Sequence, residues 1–140
     1  MRQVYLDSAA TTQIRPEVID SMTEVMISNY GNPSSSHSFG RSSKSLLEQA
    51  RKNIASHFNV SASEIIFTSG GTEADNLALR SAVRDCDVSE IITSKIEHHA
   101  VLHTIQQLES EYDIAVKFVS LDTLGNVNIS HLEELLQSSN

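Results

Sequence analysis

The residues best suited to chemistry are Thr68-Ser69-Gly70-Gly71-Thr72-Glu73-Ala74-Asp75-Asn76. They follow the apolar run Ile65-Ile66-Phe67 and open a segment of helical character over 74–83. A chain that passes from an extended run through Ser, Gly and Thr into a helix leaves backbone N–H groups unpaired at the helix start. Those groups and the helix dipole favour an anion, most often a phosphate. Gly70 and Gly71 let the backbone approach such a ligand, while Thr68, Ser69 and Thr72 add hydroxyl donors. The turn is neither a Walker loop nor a three-glycine dinucleotide fingerprint, because the required Lys and glycine spacing are missing. A plain βα turn with glycines serving geometry alone is the competing explanation.

A second cluster is Thr93-Ser94-Lys95-Ile96-Glu97-His98-His99-Ala100-Val101, with His103 four residues beyond His99. A single imidazole facing a flat ligand can stack, hydrogen-bond and move a proton near neutral pH. His99 and His103 have the spacing of two metal ligands, but two ligands alone are a weak signal, so no metal is assigned. Cys86 lies between Asp85 and Asp87. Acidic neighbours disfavour the thiolate, so this cysteine is poorly placed as a nucleophile.

The elements that must position these groups follow from periodicity. Residues 1–15 form an arm, with residues 7–12 small and polar. Pro16 opens a helix whose stripe is Val18, Ile19, Met22, Val25 and Met26. Tyr30-Gly31-Asn32-Pro33 stops it, and residues 34–40 form a loop rich in hydroxyls. A second helix is expected over 42–58, with Leu46, Leu47, Ala50, Ile54 and Phe58 facing inward. Strands are then expected at 65–67, 91–93 and 115–119. The intervening helices are 74–83, buried on more than one face, and 99–108. Ser130 begins a last helix, with Glu133 completing a capping box. Alternating strands and helices imply an α/β fold, a mostly parallel sheet with flanking helices, whose ligands lie at the strands' C-terminal ends. Three strands make a narrow sheet with open edges, so this sheet looks incomplete. The division expected is an arm over 1–15 and one partial domain over 16–140.

Length and composition exclude several classes. The 140 residues suffice for one core, and no apolar run is long enough to span a membrane. The net charge is -8 and the ten Lys and Arg residues are scattered, so the basic stripe of a nucleic-acid binder is missing. A single cysteine and the absence of an apolar signal core fit a cytoplasmic location.

Taken together, four stretches resemble the cysteine desulfurases of the class V aminotransferase family, fold-type I enzymes dependent on pyridoxal 5'-phosphate (PLP). They are Tyr5-Leu6-Asp7-Ser8-Ala9-Ala10-Thr11-Thr12, then Gly31-Asn32-Pro33-Ser34-Ser35 with His37 and Gly40, then the Thr68 to Asn76 turn, and Thr93-Ser94-Lys95 with Glu97-His98. They run in the family's order over nearly the whole chain. The resemblance implies the N-terminal part of a PLP-binding large domain. It implies that Gly71 and Thr72 hold the cofactor phosphate, and that His98 stacks on the pyridine ring and takes part in proton transfer. The arm and the 31–40 loop would border the site entrance. It also implies L-cysteine as substrate, L-alanine and an enzyme persulfide as products, a sulfur-acceptor protein as partner, a homodimer, and a role in iron–sulfur cluster or thio-cofactor assembly. Ser8 departs from the family's common asparagine. The family's lysine that binds the cofactor covalently lies in a Ser-x-His-Lys stretch, and neither Lys44, Lys52, Lys95 nor Lys117 matches it. The expectation is an N-terminal portion inactive by itself. Another class V lyase or aminotransferase, or a short binding or assembly module, are the alternatives.

Overall fold

The computed structural model describes residues 3–139; the first two residues of the expected arm, and Asn140, lie outside it. The chain divides into two compact units, Met1–Ile66 and Phe67–Asn140.

The first unit holds the arm and two helices, α1 (Pro16–Ser28) and α2 (Ser38–Phe58). In the arm the N–H groups of Ala10 and Thr11 both donate to the Asp7 carbonyl, at 3.1 and 3.2 Å, and the Tyr5 and Thr11 hydroxyls meet. Pro16 starts α1, where its missing N–H is no loss. The α1 C-cap Asn29 then ties the two helices together. Its side-chain oxygen accepts from the Ser42 hydroxyl at 2.9 Å, and its carbonyl accepts from Ser43 at 3.0 Å. α2 begins four residues earlier than periodicity suggests, because His37 caps it with Nδ1 facing the Gly40 N–H. Asn59, at φ 55°, closes it in the left-handed conformation that Asn tolerates.

The expected inward stripes are uncovered. Met22, Met26 and Phe58 are 51, 65 and 71 % exposed, and Leu46, Leu47, Ala50 and Ile54 are exposed as well. Periodicity identifies the face that would bury; it does not supply the surface that buries it. Within α2 the buried residues are instead the small Gly40, Ser43 and Ala55.

The expected strand at 65–67 does not form. Ile65 is extended, but its N–H donates to Ala62 in a 3-10 turn (Ala62–Glu64) and its carbonyl accepts from the Arg51 guanidinium. Its backbone groups are spent before a ladder can use them.

The second unit runs α3 (Gly71–Asp85), β1 (Glu90–Thr93), α4 (His99–Glu111), β2 (Ala115–Phe118) and α5 (Ile129–Gln137). β1 and β2 pair in parallel with Ile91 opposite Val116, and α4 makes the crossover. Two strands therefore stand where three were expected among the described residues. Val83, Ala100, Ile105, Leu108 and Val119 form the core. Of α3 only Val83 is buried, so the helix covers one face rather than several. Arg80 of α3 reaches Gln107 and Glu111 of α4, the latter at 3.4 Å. Across the strands Lys117 Nζ lies 2.6 Å from Glu90, which also accepts from Ser139.

The last helix starts at Ile129 rather than Ser130. Asn128 is its N-cap and accepts the His131 N–H at 3.1 Å, which replaces the expected Ser130/Glu133 box. The turn before it is organised by Asp122, whose Oδ1 accepts from Leu124 and Asn126, with Gly125 at φ +86°.

Candidate functional site

The start of α3 leaves N–H groups unpaired as the sequence suggests, but the helix opens at Gly71 rather than at 74 and follows no strand, and it has one addition. Gly70 is the N-cap and no side chain caps it. The first helical bond is Ala74 N–H to the Gly70 carbonyl at 3.1 Å, so the N–H groups of residues 71–73 precede the α-helical ladder. A methyl group placed on Gly70 or Gly71 would meet nothing within 4 Å. Gly70 is extended, at φ 167° and ψ 179°, a conformation open to any residue. Neither strain nor packing within the chain therefore requires glycine here, and the missing side chains leave free space in front of the helix.

The addition is Glu73. Its Oε2 accepts the Ser69 N–H at 2.6 Å. That backbone bond first, and the Ser69 hydroxyl second, hold the carboxyl below its ordinary value of 4.5. Ser69 N–H is thus used internally, and an incoming anion is left the N–H groups at 71–73. Thr68 does not aim its hydroxyl at open space; it donates to the Gly70 carbonyl at 3.2 Å.

His98 is the N-cap of α4, and its Nδ1 accepts the Ala100 N–H at 3.1 Å. In the neutral ring this assignment puts the proton on Nε2. The cap also fixes the ring at the end of the β1–α4 connection, where parallel strands present ligand-facing groups. Behind it Ser94, 3 % exposed, donates to Glu97 at 3.0 Å and stiffens the turn.

Thr72 and His98 line one open recess of about 280 Å³ with Asn76, His99, His103 and Gln107. Gly71 is not part of that lining; it adjoins it through Thr72. Gln107 lies outside the quoted motifs, and Asn76 stands in the first of them without a role assigned. Their spacing was visible: Asn76 lies four residues after Thr72, and Gln107 four after His103, each on the same helix face. Asn76 also donates to the Thr72 carbonyl at 2.9 Å. Cys86 is exposed and stands apart from this recess, beside Asp85, which pairs with Arg84 at 2.7 Å. Among the described residues no helix is long and apolar enough to cross a membrane.

The model of the aminotransferase class-V family matches residues 4–140. The chain belongs to the class V aminotransferase family. Among curated class V relatives, a putative cysteine desulfurase IscS 1 of Bacillus subtilis is 45 % identical over 98 % of this chain and 36 % of its own length. A cysteine desulfurase IscS of Methanosarcina thermophila is 42 % identical over 97 % of this chain and 34 % of its own length. Among solved structures, a NifS-like protein superposes with a TM-score of 0.80 at 38 % identity, over 90 % of this chain and 35 % of that one. SspA in complex with cysteine gives 0.79 at 32 % identity, over 90 % and 37 %. The class V chain thus has the α/β fold of these enzymes in part, and spans about a third of the length of the curated relatives it matches.

Proposed function

We propose that this chain is the phosphate-holding part of a PLP-dependent cysteine desulfurase, and that the complete protein converts L-cysteine to L-alanine and an enzyme persulfide. The observation that carries the reading is that Thr72 and His98, from two separate elements, face one recess at an uncapped helix start. The open space at Gly70 and Gly71 fits a phosphate, whose oxygens need close backbone approach. Gly71 and Thr72 would hold it by backbone N–H groups and the Thr72 hydroxyl, and His98 would stack on the ring of the cofactor. When bound, PLP supplies an electron sink for the carbanion formed on an amino-acid substrate.

The residues present contribute binding and orientation. Glu73 fixes the Ser69 turn by accepting its N–H. His98 holds its Nε2 proton away from its capping nitrogen, so Nε2 is the atom that would donate or return a proton. Cys86 is not the proposed sulfur carrier, since it stands apart from the recess that Thr72 and His98 line. L-cysteine as substrate is supported by relatives named cysteine desulfurases and by one solved in complex with cysteine. A cytoplasmic homodimer that passes sulfur to an acceptor protein for iron–sulfur or thio-cofactor assembly completes the proposal. So does the division into an arm over 1–15 and a partial PLP-binding domain over 16–140.

The test uses the complete coding sequence. Its protein should form L-alanine from L-cysteine, and His98→Ala should weaken PLP binding and slow turnover far more than His99→Ala. Equal effects of the two substitutions would remove the role given to His98. Failure to form alanine would remove the desulfurase reading.

A further inference from the structure

Four of the six histidines have a ring nitrogen committed to the backbone. Nδ1 of His37, His98 and His131 accepts from the N–H of Gly40, Ala100 and Ser120, and Nδ1 of His57 meets the Asn53 carbonyl. The two left over are His99 and His103, whose rings make no hydrogen bond among the described residues. These two are also neighbours. They sit one turn apart on α4, both exposed, with ring centroids 5.5 Å apart and planes at 27°. The four-residue spacing picks out this pair, and the exposed, near-parallel rings with unengaged nitrogens add the geometry.

We propose that His99 and His103 form a two-nitrogen site for a divalent transition-metal ion. Residues four apart on a helix stand about 5–6 Å apart at Cβ. A ring nitrogen lies about 2.0–2.1 Å from a bound ion, so rotation of two uncommitted rings brings both donors onto one centre. No third His, Cys, Asp or Glu joins them among the described residues, so water fills the remaining positions. Imidazole donors without thiolate or carboxylate suit copper, nickel and zinc, with Cu2+ held most tightly. The pair lies on the wall of the same recess as Thr72 and His98, but the proposal does not depend on the cofactor reading.

Titration of this chain with Cu2+, followed by the imidazole proton resonances, tests it. The first equivalent should broaden His99 and His103 ahead of His37, His57 and His131. His99→Gln or His103→Gln should each raise the Kd about tenfold or more, and the double variant should be little worse than either. His57→Gln should leave the Kd unchanged. Uniform broadening across the histidines, or an equal loss with His57→Gln, would overturn the site. The broadening pattern is read on the unmodified chain, so the answer does not hinge on any variant folding.

Discussion

In the 31–40 segment, which runs through a loop into the first turn of α2, a methyl group has nowhere to go, whereas at Gly70 and Gly71 it would meet nothing within 4 Å. A Cβ on Gly40 would stand 2.3 Å from the Ser35 carbonyl oxygen and 2.7 Å from that of Asn32, and one on Gly31 would stand 2.5 Å from the Phe39 carbonyl. That loop is closed on itself. Ser34 N–H donates to Asn32 Oδ1 at 2.9 Å, Ser35 N–H donates to the Asn32 carbonyl at 3.0 Å, and Tyr30 stacks on Phe39 at 5.6 Å. The two glycine pairs look alike in sequence and differ in what they serve. One allows the chain to pack against itself; the other leaves volume that the chain does not fill. The second kind of glycine is the one that speaks for a ligand.

The largest expected effect probes the packed loop. Gly40→Ala pushes a side chain into two backbone carbonyls, which cannot move aside cheaply, and overpacking of this kind costs about 1–3 kcal/mol. Urea unfolding should show a lower midpoint. Gly70→Ala should change stability by less than about 0.5 kcal/mol, because its methyl enters free space from an extended backbone. If the two substitutions cost the same, the contrast between the loops fails.

A smaller effect comes from acid. Glu73 is held below its ordinary value of 4.5 by the Ser69 N–H, so its contribution is complete above that value and is lost as pH falls through the lowered one. The Ser69 amide resonance should therefore follow a titration whose midpoint lies below 4.5. The Ser34 amide should not follow it, since its acceptor is the Asn32 amide oxygen. A Ser69 shift centred above that value would contradict the bond to Glu73.

Much of this was legible in the residues, and the failures have physical causes. β1, α4 and β2 follow from apolar periodicity because each finds a partner within the second unit. The 65–67 run has the same composition as a strand, yet Ile65 spends its carbonyl on Arg51 and its N–H on a 3-10 turn. The start of α2 was missed because a histidine does the capping that Ser, Thr, Asp or Asn usually does. The stripes of α1 and α2 are apolar, but whether they face inward depends on neighbours that a stripe does not name. At the candidate site, Gly71, Thr72 and His98 were legible as candidates by type and spacing. The shared recess was not, because it depends on how α3 packs against α4.

The central claim is that the start of α3 is a phosphate site facing His98. Titrating the chain with pyridoxal 5'-phosphate while following backbone amide and imidazole resonances tests it most directly. The account predicts saturable shifts concentrated at Gly71, Thr72 and the His98 ring, weakened about tenfold by Gly71→Val, with Ser34 and Ser35 unmoved. No shift at residues 71–72, or shifts centred on a lysine elsewhere in the chain, would contradict it.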